Sequence, residues 1–176
     1  YFGSAGVLVA LAMGAARIVA AGRDRATLDA LAAALGPRVV PVALTESDAD
    51  TPALMTAAGG GADLALDLLG QAQSTASTAS VLRALRRGGR LVLMGSASVP
   101  LAIGFRAMLG NDWEVLGNFM YPKDAPARLL ALAAAGLLDL SAVRTTSFAF
   151  DRLPEATAAA ARMRGLDLTA LVMEAV

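Results

Sequence analysis

The 176-residue chain contains no cysteine and no histidine. Without cysteine it forms no disulfide and offers no thiol nucleophile. Without histidine it has no Ser-His-Asp triad, and the two absences together exclude most zinc sites. Demanding chemistry is therefore expected to come from a cofactor or from residues outside this chain. Net charge is also missing: 15 basic residues balance 15 acidic ones, so neither nucleic acid nor an anionic membrane surface is favoured as a partner. Nor is there an apolar run of about twenty residues free of charges and turn signals, as a membrane span requires. The nearest run, "AGVLVALAMGAARIVAAG" at 5–22, is divided by Gly14 and Arg17. It has neither the basic start nor the cleavage context of a secretory signal. A soluble, cytoplasmic protein is the expectation.

What the chain does have is 56% hydrophobic residues, enough for the core of one domain, or of one domain plus part of another. Residues 4–13 predict a helix that is apolar nearly all round and so buried, stopped by Gly14. "RIVAAG" at 17–22 reads as a strand buried in a parallel sheet. Asp24 is placed to cap a helix over 25–35, where Leu28, Leu31 and Leu35 recur at helical spacing. A strand at 38–44 follows, whose Pro41 suggests an edge position or a bulge. After a loop at 45–50, a helix over 51–58 closes on Gly59-Gly60-Gly61. A buried strand at 62–70, a helix at 74–86, the turn Arg87-Gly88-Gly89 and a strand at 90–95 come next. A short helix near 103–110, a strand at 113–120 and a helix at 124–136, capped by Asp124 and stopped by Gly136, continue the alternation. The remainder predicts a strand at 145–150, a helix at 154–164 opened by Pro154, and a strand at 168–176. Short buried strands alternating with helices point to an α/β doubly wound parallel sheet, Rossmann-like, with right-handed crossovers.

A helix that opens just after "YFG" and leads into a buried strand is what stands downstream of a glycine-rich dinucleotide turn. The chain resembles the cofactor-binding part of the medium-chain dehydrogenase/reductase family, which includes zinc-type alcohol dehydrogenases and quinone oxidoreductases. The likeness is carried by "FGSAGVLVALAMGA", "RIVAAGRD", "ADLALDLLG", "LRRGGRLVLMGSA" and "GLLDL…FAFDRLPEATAAA", in the family's order and over nearly the whole chain. It implies that the first strand of the fold is missing ahead of Tyr1, with Gly3 the last glycine of the turn. Residues 1–140 would be the dinucleotide-binding domain, truncated at its N-terminus. Residues 141–176 would return to an absent GroES-like catalytic domain, which holds the zinc in zinc-dependent members. The chain then reads as the C-terminal portion of a larger protein, inactive alone and exposed to aggregation through two unpaired strand edges.

By the same resemblance, the cofactor contacts are Phe2 and Gly3 at the turn and Gly22 and Arg23 at the end of the next strand. Leu68, Leu69 and Gly70 would lie near the adenosine half, and Met94, Gly95, Gly117, Asn118 and Phe119 near the nicotinamide. NAD-selective members place an acid where this chain has Gly22. A guanidinium there pairs with a 2′-phosphate, so Arg23 favours NADP(H) over NAD(H). Arg25 is the weaker candidate, and both arginines also read as solvated charges beside a helix start. Leu68, Leu69 and Met94 read equally as core. Asp67, in an apolar strand, is expected to bond nearby backbone amides rather than to act in catalysis. No catalytic residue is assigned: Tyr121 and Lys123 are two apart, not the four that a helical Tyr-Lys pair needs. Many relatives carry a basic residue just after the glycine that corresponds to Gly165, and this chain does not.

The function implied is an NADP(H)-dependent oxidoreductase that moves a hydride to or from a carbonyl, an alcohol or an activated alkene of a small molecule. Catalytic groups, and zinc if any, would come from the absent domain. A nucleotide-binding module of the same fold without catalysis stands as the alternative. A class I methyltransferase would want an acid at Gly22. The apolar region 90–120 suits a homodimer.

Overall fold

The alanine-rich opening run winds into α1 (Phe2–Ala12), and Gly14 ends it with a φ of +86°. The Gly14 N–H donates to the Leu11 carbonyl and the Ala15 N–H to the Ala10 carbonyl, the paired bonds that close a helix at a left-handed glycine. Expected to be buried all round, α1 fully buries only Val7 and Leu8, because one of its sides has nothing packed against it. The structure, a computed structural model, describes residues 2–173. Positions 174–176 of the expected last strand lie outside the described residues.

The chain continues through β1 (Ile18–Gly22), α2 (Arg25–Leu35), β2 (Val39–Ala43), α3 (Asp50–Ala58), β3 (Ala62–Asp67) and α4 (Ala76–Arg83). Then come β4 (Leu85–Leu93), α5 (Phe105–Asn111), β5 (Glu114–Gly117) and α6 (Ala125–Ala134). A last unit is made of β6 (Arg144–Ala149), α7 (Leu153–Arg162) and β7 (Asp167–Val172). Local chemistry explains several boundaries. Asp24 accepts hydrogen bonds from the Thr27 hydroxyl at 2.7 Å and the Thr27 N–H at 3.2 Å, which caps α2. Asp124 makes no such bond and stands 3.9 Å from Arg128 instead. Helix α4 ends at Arg83, short of the expected 86. The turn Arg87-Gly88-Gly89 lies inside β4, because Ala62 pairs with Leu85 and Leu64 with Arg90, so residues 86–89 loop out of the ladder.

All strand pairs are parallel, and each connection is therefore a helical crossover. The strands form β1–β2, β3–β4–β5 and β6–β7. Pro41 sits in β2, whose only strand neighbour among the described residues is β1, and so occupies the edge position its sequence suggests. The strand pairing is interrupted between β1 and β3, which share no ladder among the described residues. Helix α1 bridges the interruption. Val7 and Leu8 join Ala20 of β1 and Leu28 of α2 in one core, while Gly6 lies so close to β3 that an added Cβ would stand 3.6 Å from Leu66 and Leu68. Strand β3 is not buried as expected: Leu64 is 59% and Leu66 45% exposed, because the face that carries both is only partly covered by the described residues.

Three cores hold these layers. The first combines Val7, Leu8, Ala20, Leu28, Leu31 and Val39 with Leu138 and Leu166 of the C-terminal part. The second joins Val42, Leu44, Leu54 and Ala84, and the third is centred on Leu91, which is fully buried.

At the start of α3, Asp50 is 2% exposed. It accepts hydrogen bonds from the Thr45 N–H and hydroxyl and from the Glu46 N–H. Burial works against its charge, yet these bonds prevail and hold its carboxyl below the usual aspartate value of 3.8. A depressed folded-state pKa contributes stability that is complete above the unfolded value and is lost as pH falls through the folded one. Asp50→Asn will therefore lower the urea midpoint at neutral pH and reduce its decline below about pH 4. Midpoints measured from neutral to acid pH check both effects.

Candidate functional site

Parallel strands β3, β4 and β5 end along one edge, and the segments after them run side by side. The Met94 N–H donates to the Asp67 carbonyl at 3.0 Å, Ser96 N–H to the Leu69 carbonyl at 2.7 Å, and Asn118 N–H to the Leu93 carbonyl at 2.8 Å. The Gln71 N–H donates to the Ser96 hydroxyl at 2.9 Å. Gly95 permits this close approach: a Cβ there would lie 2.5 Å from the Leu69 carbonyl oxygen.

Over these ends stands the first turn of α1, whose initial backbone N–H groups have no intrahelical partner. Between Phe2, the Leu68-Leu69-Gly70 segment and Met94-Gly95-Ser96 lies a pocket of about 140 Å³. A cavity of about 150 Å³ accommodates benzene, so this pocket admits one ring of a larger ligand. A second cavity, of about 190 Å³, lies between Leu35, Arg38, Leu137 and Asp139. Its charged groups are engaged, Arg38 donating to the Ala15 carbonyl and Asp139 accepting from the Ser141 N–H. The strand ends and the α1 N-terminus meet only at the smaller pocket of the two.

Of the residues expected to bind cofactor, Phe2, Leu68, Leu69, Gly70, Met94 and Gly95 converge on this pocket. Met94 is 42% exposed, so it is not a core residue. Gly3 lies in the first turn of α1 with open space around it. Gly22 ends β1 and Arg23 follows it, and neither lines the pocket. Arg23 is exposed and makes no hydrogen bond or ion pair among the described residues, whereas Arg25 is tied to Asp29 at 2.8 Å. Gly117 pairs with Leu93 beside the pocket, but Gly117, Asn118 and Phe119 do not line it. The Asn118 side chain donates to the Met120 carbonyl, and Phe119 is almost wholly exposed.

Sequence reasoning expected Asp67 to bond backbone amides, and it accepts the Leu69 N–H at 2.9 Å. It did not foresee the hydroxyl of Thr78, which donates to the other carboxylate oxygen at 2.8 Å. Arg164 was also missed. A Cβ on the adjoining Gly165 would lie 3.6 Å from the Thr27 side chain, which brings that loop against the start of α2. There the Thr27 hydrogen bonds, aided by the charge of Arg164, hold the Asp24 carboxyl below its usual value. The available signal was an arginine before the glycine rather than after it.

A parallel α/β layer with a helix N-terminus over its strand ends defines a Rossmann-like fold. Residues 2–135 match the zinc-binding dehydrogenase family, and the chain belongs to it. A nucleotide cofactor is implied by that membership. No curated protein matches the chain. Among solved structures, it is similar to alcohol dehydrogenase TADH from Thermus sp. ATN1, with 22% identity, a TM-score of 0.77, and coverage of 96% of this chain and 49% of that one. Benzyl alcohol dehydrogenase from Acinetobacter calcoaceticus aligns with 20% identity and a TM-score of 0.75, over 97% of this chain and 47% of that one. A short chain alcohol dehydrogenase from E. coli CFT073, complexed with NADH, aligns with 15% identity and a TM-score of 0.72, over 92% and 46%. The chain thus spans about half the length of these structures. The zinc of the family name does not fit the residues present. The sequence has no cysteine or histidine, and no acidic cluster among the described residues is arranged to hold a metal.

Proposed function

We propose that this chain is the cofactor-binding part of an NADP(H)-dependent oxidoreductase, of the alcohol dehydrogenase or quinone oxidoreductase kind. It would move a hydride between nicotinamide and a carbonyl, an alcohol or an activated alkene. The observation that carries the NADP(H) reading is Arg23, an unpartnered guanidinium at the end of β1 where Gly22 leaves no carboxylate. The redox chemistry belongs to the nicotinamide, and the chain binds and orients it. The first-turn amides of α1 would hold the pyrophosphate, Leu69 and Met94 would bound a ring, and Arg23 would pair with the 2′-phosphate. Gly117, Asn118 and Phe119 extend the surface toward the nicotinamide end.

Substrate contacts and catalytic groups come from the rest of the protein, to which residues 141–176 return. Exposed Leu109, Leu116 and Phe119 favour a homodimer, and the cytoplasm is the proposed location. Arg23→Glu will lower the preference for NADPH over NADH by about tenfold or more, since it replaces an attractive charge with a repulsive one. Titrating both nucleotides into parent and variant checks this, and an unchanged preference rejects the NADP(H) assignment. Nucleotide binding by the full-length protein without turnover of any carbonyl, alcohol or enone would instead favour the non-catalytic module.

A further inference from the structure

Asp67 is the last residue of β3, partly buried, with both carboxylate oxygens engaged. One accepts the Leu69 N–H within the turn that forms one wall of the pocket. The other accepts the hydroxyl of Thr78, a residue of α4 that is 3% exposed and so has little freedom to move. The backbone carbonyl of Asp67 takes the Met94 N–H, where the opposite wall begins. Leu69 and Gln71 then bond to Ser96 across the two walls. Both walls are thus referred to one residue, which is itself anchored to a buried helix. Asp67 does not line the pocket.

We propose that Asp67, held by Thr78, is a positioning residue that fixes the Leu68–Gly70 turn and thereby sets the affinity of the pocket for the dinucleotide. This rests on the nucleotide reading given above. A carboxylate whose only role was to satisfy the end of β3 would need the Leu69 amide alone. The second bond, to a hydroxyl buried on another element, fixes the carboxylate in azimuth and hence the turn that hangs from it. The walls already touch at Gly95 and Leu69, so a small shift of Leu69 changes the width of the pocket.

The test uses the whole chain and its variants Asp67→Ala, Thr78→Val and Thr78→Ser, titrated with NADPH and followed by nicotinamide fluorescence. Asp67→Ala and Thr78→Val are expected to weaken binding by about tenfold, as fits the loss of a charge-assisted hydrogen bond. Thr78→Ser, which keeps the hydroxyl, should stay within about twofold of the parent. Amide hydrogen exchange gives a readout that does not depend on nucleotide. Asp67→Ala should accelerate exchange at Leu69 and Gln71 while Leu91 stays protected, whereas general destabilisation would accelerate all three. Parent-like exchange at Leu69 and Gln71, or parent-like NADPH affinity in Asp67→Ala, overturns the proposal. If Asp67→Ala fails to fold, equal affinities of Thr78→Val and Thr78→Ser overturn it. If the parent binds neither NADPH nor NADH, the nucleotide reading fails, and the exchange rates alone decide whether Asp67 positions the turn.

Discussion

Alanine at Gly95 will weaken nucleotide binding about a hundredfold and leave the chain folded. Its Cβ would stand 2.5 Å from the Leu69 carbonyl oxygen and 3.0 Å from the Leu69 nitrogen, which no backbone tolerates without moving. Such overpacking costs about 1–3 kcal/mol. The place that yields is the Leu68–Gly70 turn, because β4 is anchored by the fully buried Leu91. The turn is one wall of a pocket of only about 140 Å³, and displacing it narrows or splays the site. An affinity loss on the order of a hundredfold fits a displacement of about 1 Å. Gly110→Ala is the control: it adds the same methyl group in α5, away from the pocket, where nothing lies within 4 Å, so it tests for a general glycine effect. Calorimetric titration of NADPH into both variants checks the prediction. Parent-like binding in Gly95→Ala would mean that the ring enters elsewhere.

The second large effect concerns the interruption between β1 and β3. Extending the chain ahead of Phe2 with an apolar, β-branched segment of strand length will raise the urea midpoint and suppress aggregation. The unpaired edges of β1 and β3 each present a row of backbone donors and acceptors. Covering the exposed parts of Leu64 and Leu66 contributes about 2 kcal/mol, and ladder bonds add about 1 kcal/mol each. Ordering the added backbone costs about 1–2 kcal/mol per residue, so the gain depends on the leucines and on pairing along both edges at once. A segment of matched length with prolines at alternate positions cannot supply the ladder. Equal midpoints and equal light scattering for the two extensions would show that the edges do not accept a strand.

Legibility followed how local the cause of each feature was. Asp24 and Asp124 precede their helices in the same way, yet only Asp24 caps. Its ψ of 94° aims the carboxylate back at the Thr27 amide, whereas Asp124 has already turned helical, with ψ of −8°. The sequence pattern does not specify that torsion. The run 62–70 reads as a buried strand because it is largely apolar, but β3 ends at Asp67, and burial depends on what covers each face, which the sequence does not specify. The pocket was legible through Leu68–Gly70 and Met94–Gly95, since this fold gathers its ligands at the carboxyl ends of parallel strands. Thr78 and Arg164 were not, because each reaches the site region through tertiary packing rather than through a motif of its own.

Leu138 and Leu166 complete the core that begins with Val7 and Leu8. A chain leaving the ribosome therefore presents α1, β1, α2 and β2 long before their last apolar wall has been translated. Closing that core requires contacts between residues far apart in sequence, the kind that delays folding. Until that wall arrives, Val7 and Leu8 of α1 lack part of their cover, and exposed apolar surface of this kind is prone to aggregate.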